Sequence, residues 1–166
     1  MIDDNVKEIS EYAFQYSKIE NITFPQGLET IEDSAFMYGS LKEVIIPKNV
    51  TYIGYNAFCE NTNLIYLNIL SSNLEMDNAC FSGCESLKEI KISEGLKEIK
   101  NGTFSLCSNL EKVELPLSLK TIAIAAFFMC DKLKTVVYNG TKQDREKMVI
   151  WDSNDALLNA EWVYKQ

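Results

Sequence analysis

The sequence predicts a β-rich α/β solenoid of about six coils, closed at its C-terminal end by a helix and a strand. Three observations predict it. A phenylalanine recurs at nearly constant spacing, an apolar–polar–apolar step follows each phenylalanine, and the pattern stops after Tyr138. A repeat of roughly 20 to 50 residues is typical of structural units that stack on copies of themselves.

The recurring phenylalanines predict one corner in each coil. They are separated by 22, 22, 23, 23 and 23 residues (by subtraction), and a small residue comes directly before each of them. In chain order they are Phe14, Phe36, Phe58, Phe81, Phe104 and Phe127. We expect each ring to close one coil and to pack on the ring of the next.

Two short extended stretches are predicted in every unit. In Val113-Glu114-Leu115 the apolar and polar residues alternate, which is the period of a strand with one buried face. Pro116 ends this strand because it has no backbone N–H to donate. The pair Leu119 and Ile122 predicts the second stretch. Six coils joined by parallel strand pairing would form a rod roughly 25–30 Å long.

The fourth coil departs from this pattern. Asn73 stands where the other units have an aliphatic residue, Leu74 is displaced by one position, and Met76 replaces the isoleucine. We therefore expect an irregular coil, with a local bulge.

The unit L-x-x-V-x-I-P-x-x-L-x-x-I-x-x-x-A-F-x-x-C-x-x resembles the 23-residue leucine-rich repeat of the BspA type. The stretch from Leu41 to Phe58 fits that pattern nearly position by position, and the match runs from residue 6 to about 138. The resemblance implies a right-handed leucine-rich repeat superhelix with parallel strands. It assigns residues 1–138 to the solenoid, with a partial first unit, and residues 139–166 to a C-terminal cap of the same domain.

The C-terminal segment predicts a helix followed by a strand. Thr141 and Asp144 have the spacing of a capping box, which predicts a helix from about 142 to 150. Met148 and Trp151 are expected to pack this helix on the last coil, residues 152–155 to form a loop, and residues 161–164 to form a strand. The family's ending commonly has tryptophan where Arg145 stands, and Trp151 is the expected substitute.

Composition excludes several classes of function. A net charge of −8 and a pI near 4.6 argue against a nucleic-acid surface, which needs clustered Lys and Arg. The chain contains no histidine, so no Ser-His-Asp or Cys-His arrangement exists. It has no phosphate-binding glycine motif, no C-x-x-C pair and no apolar run of membrane-spanning length. We expect no catalytic site, cofactor, metal or membrane insertion.

The cysteines are interpreted as core residues. Cys84, Cys107 and Cys130 each follow a corner phenylalanine by three residues, so they are predicted to stack in one buried column. The total of five is odd, which speaks against a complete set of disulfides.

The outward positions of the first strand are the candidate binding surface. Ile45 and Tyr66 are apolar and aromatic neighbours of the kind that anchor protein interfaces, with Glu43 and Asn68 beside them. Tyr52, on the second stretch, and Tyr55, on the corner, are weaker additions. The alternative is that these side chains simply favour a strand surface. Farther along the same face, Glu89 is expected beside Lys112, and Lys91 beside Glu114, as ion pairs between coils.

The resemblance implies a non-catalytic adhesion or protein-interaction module of a secreted or surface-displayed bacterial protein. Its partner would be another protein, such as a host matrix or cell-surface protein. Two alternatives stay open: a structural spacer without a ligand of its own, and an intracellular interaction repeat. The chain begins with Val6 and Ile9 in the second half of a unit, which leaves the edge of the first coil open. We expect that upstream sequence was removed; the alternatives are that the first few residues or a partner cover this edge.

Overall fold

The structure is a computed structural model that describes residues 2–165. It consists of short strands, two short helices and tight turns. In chain order the elements are β1 (Glu8–Ile9), β2 (Thr30–Ile31), β3 (Glu43–Ile46), β4 (Tyr52–Ile53), β5 (Tyr66–Ile69), β6 (Glu75–Met76), β7 (Glu89–Ile92), β8 (Glu98–Ile99), β9 (Lys112–Leu115), β10 (Thr121–Ile122), β11 (Thr135–Tyr138), α1 (Lys142–Glu146), β12 (Val149–Ile150), α2 (Asp155–Asn159) and β13 (Glu161–Tyr164).

All strand pairs are parallel, and equivalent residues of neighbouring coils lie side by side. The four-residue strands form one six-stranded sheet in the order β13-β11-β9-β7-β5-β3. The two-residue strands form a second ladder, split into the sheets β1-β2-β4-β6 and β8-β10-β12. The predicted β-rich solenoid is confirmed: from β3 onward each unit has both extended stretches, and a proline follows β3 and β9.

The core is a set of stacked columns along the axis of the solenoid. The inward residues of the long strands, such as Val44 and Ile46, have no exposed surface. The corner phenylalanines also stack: the rings of Phe14 and Phe36 lie 5.0 Å apart, and those of Phe58 and Phe81 lie 5.0 Å apart. The last pair, Phe104 and Phe127, is tilted by 31°. The predicted role of the corner rings is confirmed.

Each corner uses two residues with left-handed backbone, one two positions before the phenylalanine and one two positions after it. In the second coil these are Ser34 (φ 54°) and Tyr38 (φ 57°). The intervening turns point backbone N–H groups at the next coil, and Phe36 donates to the carbonyl oxygen of Ala57 at 2.7 Å. The corners therefore form a third hydrogen-bonded ladder beside the two strand ladders.

The first coil lacks the expected long strand. Around Ile22 the chain makes only an isolated parallel bridge, from Asn21 to Glu43. Ile22 is half-buried, since among the described residues this stretch has a neighbouring coil on one side only.

The fourth coil is irregular, as predicted. The short-strand ladder is interrupted between β6 and β8. Side chains bridge the interruption: Asn101 N–H donates to Asn78 Oδ1 at 3.1 Å, and Lys100 Nζ lies 2.7 Å from Glu75 Oε1. Gly95 has φ +118° and passes so close to the Ser72 carbonyl that a Cβ atom would collide with it.

The C-terminal segment adds a further turn to the solenoid. The capping box is confirmed, since Asp144 N–H donates to Thr141 Oγ1 at 3.1 Å and Thr141 N–H donates to Asp144 Oδ2 at 3.2 Å. The helix is shorter than predicted, because residues 149–150 instead form β12 and extend the short-strand ladder beside β10. The predicted strand is confirmed as β13, which pairs with β11.

Two details of this segment were predicted wrongly. Trp151 does not pack on the last coil and is 53% exposed, whereas Met148 is buried as expected. The predicted loop at residues 152–155 ends one residue early, because α2 begins at Asp155. Arg145 makes its own contact, with its guanidinium 4.7 Å from the ring centroid of Trp162. The division of the chain at residue 138 stays a prediction.

Asn154 joins this segment to the last corner, which the sequence did not indicate. The residue is 1% exposed. Its Oδ1 accepts from the N–H of Phe127 at 2.9 Å, in the place where other corners use a carbonyl of the next coil. Its Nδ2 donates to the carbonyls of Ala123 at 2.9 Å and Trp151 at 2.8 Å. A single amide side chain thus completes the hydrogen bonds of the last corner.

We expect Asn154→Ala to lower the free energy of unfolding by about 2–4 kcal/mol, because it leaves several buried backbone groups without partners. Urea denaturation followed by circular dichroism measures this. The control is Asn159→Ala, an exposed asparagine at the end of α2, which we expect to change stability by less than about 0.5 kcal/mol. Equal losses in the two variants would contradict the role of Asn154.

Candidate protein-binding surface

The candidate surface lies on the outward face of the six-stranded sheet. Val44 and Ile46 point into the core, so alternation turns Glu43 and Ile45 outward on β3. The same alternation on β5 turns Tyr66 and Asn68 outward.

Strand register brings four of the predicted residues together. Glu43 is paired with Tyr66, and Ile45 with Asn68. The next strand places Glu89 beside Tyr66 and Lys91 beside Asn68. The outward side chains therefore form two rows across the strands. The first row contains Glu43, Tyr66 and Glu89, and the second contains Ile45, Asn68 and Lys91.

Tyr52 lies apart from these four residues. It is half-buried on β4, in the short-strand ladder, and its hydroxyl donates a long hydrogen bond of 3.5 Å to Asp77 Oδ2. The structure therefore divides the predicted site into a sheet surface of four residues and one residue on a different face.

Exposure and charge differ among the four residues. Ile45 is 45% exposed, a large value for an isoleucine in a sheet. Tyr66 is half-buried, and its pKa is raised by burial and by the charges of Glu89 and Glu43. The Oδ1 atom of Asn68 is buried and has no hydrogen-bond partner among residues 2–165. This end of the face thus combines an exposed apolar side chain with an aromatic ring and an unused acceptor.

The other end of the face is occupied by ion pairs within the chain. Lys112 Nζ lies 2.7 Å from Glu89 Oε1, which confirms that predicted pair. The register also places Lys91 beside Glu114, but Glu114 pairs with Lys165 Nζ at 2.6 Å instead. The second predicted ion pair is therefore wrong. Lys165 directly follows β13, and the pairing of β13 with β11 brings it to this face, a position that was not predicted for it. The Lys112–Glu89 pair is exposed to solvent and contributes at most about 1 kcal/mol.

The structure offers no metal-binding or membrane-spanning feature within residues 2–165. No cluster of three or more Cys, Asp or Glu side chains there is arranged to hold a metal ion. None of the helices in this range is long and apolar enough to cross a membrane.

The five cysteines are free and buried, in agreement with their interpretation as core residues. Burial raises the pKa of the Cys59 thiol to about 11 and that of Cys130 to about 12. In the column that follows the corner phenylalanines, Cys84 Sγ donates to the Phe58 carbonyl at 3.4 Å. Asn61 occupies the same column, and its Nδ2 donates to the Phe36 carbonyl at 2.7 Å.

Comparison with known sequences identifies the family. The chain belongs to the BspA type leucine-rich repeat family, whose sequence model matches residues 1–85 and 29–152 in six copies. Proteins with this repeat and fold typically bind other proteins and are typically non-catalytic. No curated protein matches the sequence significantly.

Solved structures of bacterial leucine-rich repeat proteins share the fold. A leucine-rich repeat protein from Eubacterium ventriosum ATCC 27560 is 29% identical, with a TM-score of 0.78, over 92% of this chain and 41% of that protein. One from Bacteroides ovatus ATCC 8483 is 25% identical, with a TM-score of 0.67, over 98% of this chain and 55% of that protein. The leucine-rich repeat protein of T. pallidum is 20% identical, with a TM-score of 0.67, over 96% of this chain and 69% of that protein. The chain thus spans about half the length of the first two proteins or less.

Tyr52 gives a test of the geometry around the short-strand ladder. Burial, followed by the charges of Asp33 and Asp77, raises the pKa of Tyr52 to about 12. The folded state holds this proton more tightly than the unfolded state does, so its contribution to stability is complete below about pH 10 and is lost as the pH rises towards 12.

We therefore expect the free energy of unfolding to fall more steeply between pH 10 and 12 in the parent than in Tyr52→Phe. Urea denaturation at a series of pH values measures the difference, and other alkaline titrations cancel between the two proteins. Identical pH dependence in parent and variant would contradict the placement of Tyr52.

Proposed function

We propose that this chain is a protein-binding module, without catalytic activity, of a secreted or surface-displayed bacterial protein that mediates adhesion. The observation that supports the proposal most is the position of Ile45 and Tyr66 on adjacent outward rows of the sheet. Ile45 is 45% exposed there, beside a half-buried tyrosine, at the end of the face that lacks the Glu89–Lys112 and Glu114–Lys165 pairs. Apolar and aromatic anchors with a polar rim are the usual composition of an interface centre.

The proposed contact surface consists of Glu43, Ile45, Tyr66 and Asn68, with Tyr52 as a separate contribution on another face. Ile45 would be the apolar anchor and Tyr66 the amphipathic one. Glu43 has no ion-pair partner among the described residues, so its carboxylate is available to a partner. The partner class, a host matrix or cell-surface protein, rests on the family resemblance.

Replacing the anchor tests this surface. We expect Ile45→Glu to weaken binding to whichever immobilised matrix protein, among fibronectin, laminin and collagen, binds the parent, by at least about 10-fold, which is typical of a lost central anchor. Surface plasmon resonance with each purified matrix protein measures the dissociation constants.

The matched control is Ile65→Glu. Ile65 is 48% exposed and directly precedes β5, outside the two outward rows. The control should bind like the parent, and both variants should unfold at the same temperature. Unchanged binding by Ile45→Glu would remove this surface from the proposal. A parent that binds none of the three proteins would favour the structural spacer.

A second candidate function is an intracellular interaction repeat, which is favoured by the five free cysteines. Structural disulfides are common in oxidising compartments and rare in the cytosol. Protease treatment of intact producing cells distinguishes the two candidates: a surface-displayed protein is cleaved, whereas a cytosolic one is protected until the cells are lysed. We expect cleavage on intact cells, with a cytosolic marker enzyme as the internal control.

A further inference from the structure

The corners of the first three coils carry a cluster of exposed tyrosines that the proposed sheet surface does not use. We name it the tyrosine patch and define it as Tyr12, Tyr16, Tyr38 and Tyr55. Their exposed fractions are 54%, 63%, 42% and 48%. These side chains lie on the turns around the corner phenylalanines, away from both outward rows of the long-strand sheet.

Two of the tyrosines form an ordered stack. The rings of Tyr16 and Tyr38 lie 5.1 Å apart and are parallel within 3°. Both residues follow a corner phenylalanine by two positions and have left-handed backbone, with φ values of 60° and 57°. They repeat on the surface the stacking that Phe14 and Phe36 make in the core.

The fold does not require an aromatic residue at this position. Glycine is the residue that left-handed backbone favours, and Gly83 occupies the equivalent place in the fourth coil. Glu60, Leu106 and Met129 occupy it in the other coils. The backbone therefore accepts many side chains here, and the paired tyrosines are left without a structural explanation.

The turns that carry these tyrosines are acidic. Residues 10–17, 32–39 and 54–61 include four acidic side chains and no Lys or Arg, in a chain of net charge −8. Asp33 lies beside Tyr55, whose N–H donates to Asp33 Oδ1 at 2.7 Å. The Glu11 carboxylate raises the pKa of Tyr12, first as a hydrogen-bond acceptor for the Tyr12 hydroxyl and then through its charge, and the charge of Asp33 adds to this. Acidic groups and exposed rings are thus interleaved.

Glu60 continues the column of the stacked rings. It follows Tyr38 by one coil, and its carboxylate leans towards Gly83, on the side away from Tyr38. Glu60 therefore adds negative charge to this region but does not face the stacked rings.

The corners at the other end of the chain are different. Leu106, Ile124, Phe128 and Met129 are between 41% and 50% exposed there, and residues 100–107 and 123–130 contain no acidic side chain. The combination of rings and carboxylates is therefore specific to the first three coils and is not a property of the repeat.

We propose that the tyrosine patch binds an arginine-bearing, basic segment of a partner protein. The guanidinium group is planar, stacks on tyrosine rings and pairs with carboxylates, so it matches both components of this surface. The net negative charge of the chain draws such a segment to it. The surface is separate from the Ile45 surface, and the two proposals can fail independently.

The probe is a fluorescein-labelled peptide of alternating arginine and glycine, with binding followed by fluorescence anisotropy at low and physiological salt. We expect Tyr16→Ser/Tyr38→Ser to raise the dissociation constant between about 4-fold and 25-fold, which is about 2-fold to 5-fold for each ring. The double variant has the same net charge as the parent, so nonspecific attraction to the acidic chain is unchanged. A peptide of alternating lysine and glycine should bind more weakly to the parent than the arginine peptide.

Leu106→Ser is the matched control. Leu106 occupies the same position of the fifth coil, has the same left-handed backbone with φ 61°, and is 41% exposed. It should bind the peptide like the parent, as should Ile45→Glu after correction for its added charge. Thermal unfolding checks that every variant is folded.

Three outcomes would overturn the proposal. The first is a double variant that binds the peptide as tightly as Leu106→Ser does, and the second is a lysine peptide that binds as tightly as the arginine peptide. The third is a parent dimer, detected by light scattering, that the double variant dissociates, which would assign the surface to self-association.

Discussion

The corner of each coil organises the molecule. One residue with left-handed backbone on each side of the phenylalanine reverses the chain tightly. The backbone N–H groups of this turn donate to carbonyls of the next coil, as Phe36 does to Ala57. The rings then stack about one coil apart, from 5.0 to 5.7 Å, along the whole array. Because the same corner precedes both strands of a coil, the long-strand ladder keeps one register from β3 to β13, and the short-strand ladder resumes at β8 after its interruption.

Amide side chains complete this network where the repeat alone cannot. Asn61 stands in the cysteine column and bonds the Phe36 carbonyl, as Cys84 does for Phe58 one coil later. Asn154 accepts from the N–H of Phe127 after the last corner, where no further alanine carbonyl follows. A buried backbone group that loses its partner costs about 1–3 kcal/mol of folding stability. Each asparagine at these places therefore contributes substantially to the free energy of unfolding.

The periodic scaffold leaves its outward positions free to differ, and the differences are regional. On the sheet, one end carries Ile45 and Tyr66, while the other is occupied by ion pairs such as Lys112 with Glu89. On the corners, one end carries tyrosines and acids and the other aliphatic and aromatic side chains. Since the corners and the strands from β3 to β11 in the long-strand sheet repeat the same backbone, these differences come from side-chain identity, which gives a solenoid distinct surfaces without a change of fold.

The spacing of residues along the chain predicts the repeat, the parallel strands and the buried phenylalanine and cysteine columns, because each follows from a shared period. A local break in that period predicts the irregular fourth coil. The sequence also placed Glu43, Ile45, Tyr66 and Asn68 on one face, since strand alternation and constant spacing leave no freedom there. The contacts of the C-terminal segment, which lies outside the repeat, could be seen only in the tertiary structure. Residues 149–150 joined a ladder instead of a helix, Trp151 stayed exposed, and Lys165 took Glu114 from Lys91, because these contacts depend on where the C-terminal segment lies against the last coils. Tyr16 and Tyr38 also occupy equivalent positions of the repeat. Their stacked, exposed arrangement depends on the left-handed backbone of the corner, and the spacing of apolar residues does not reveal that geometry.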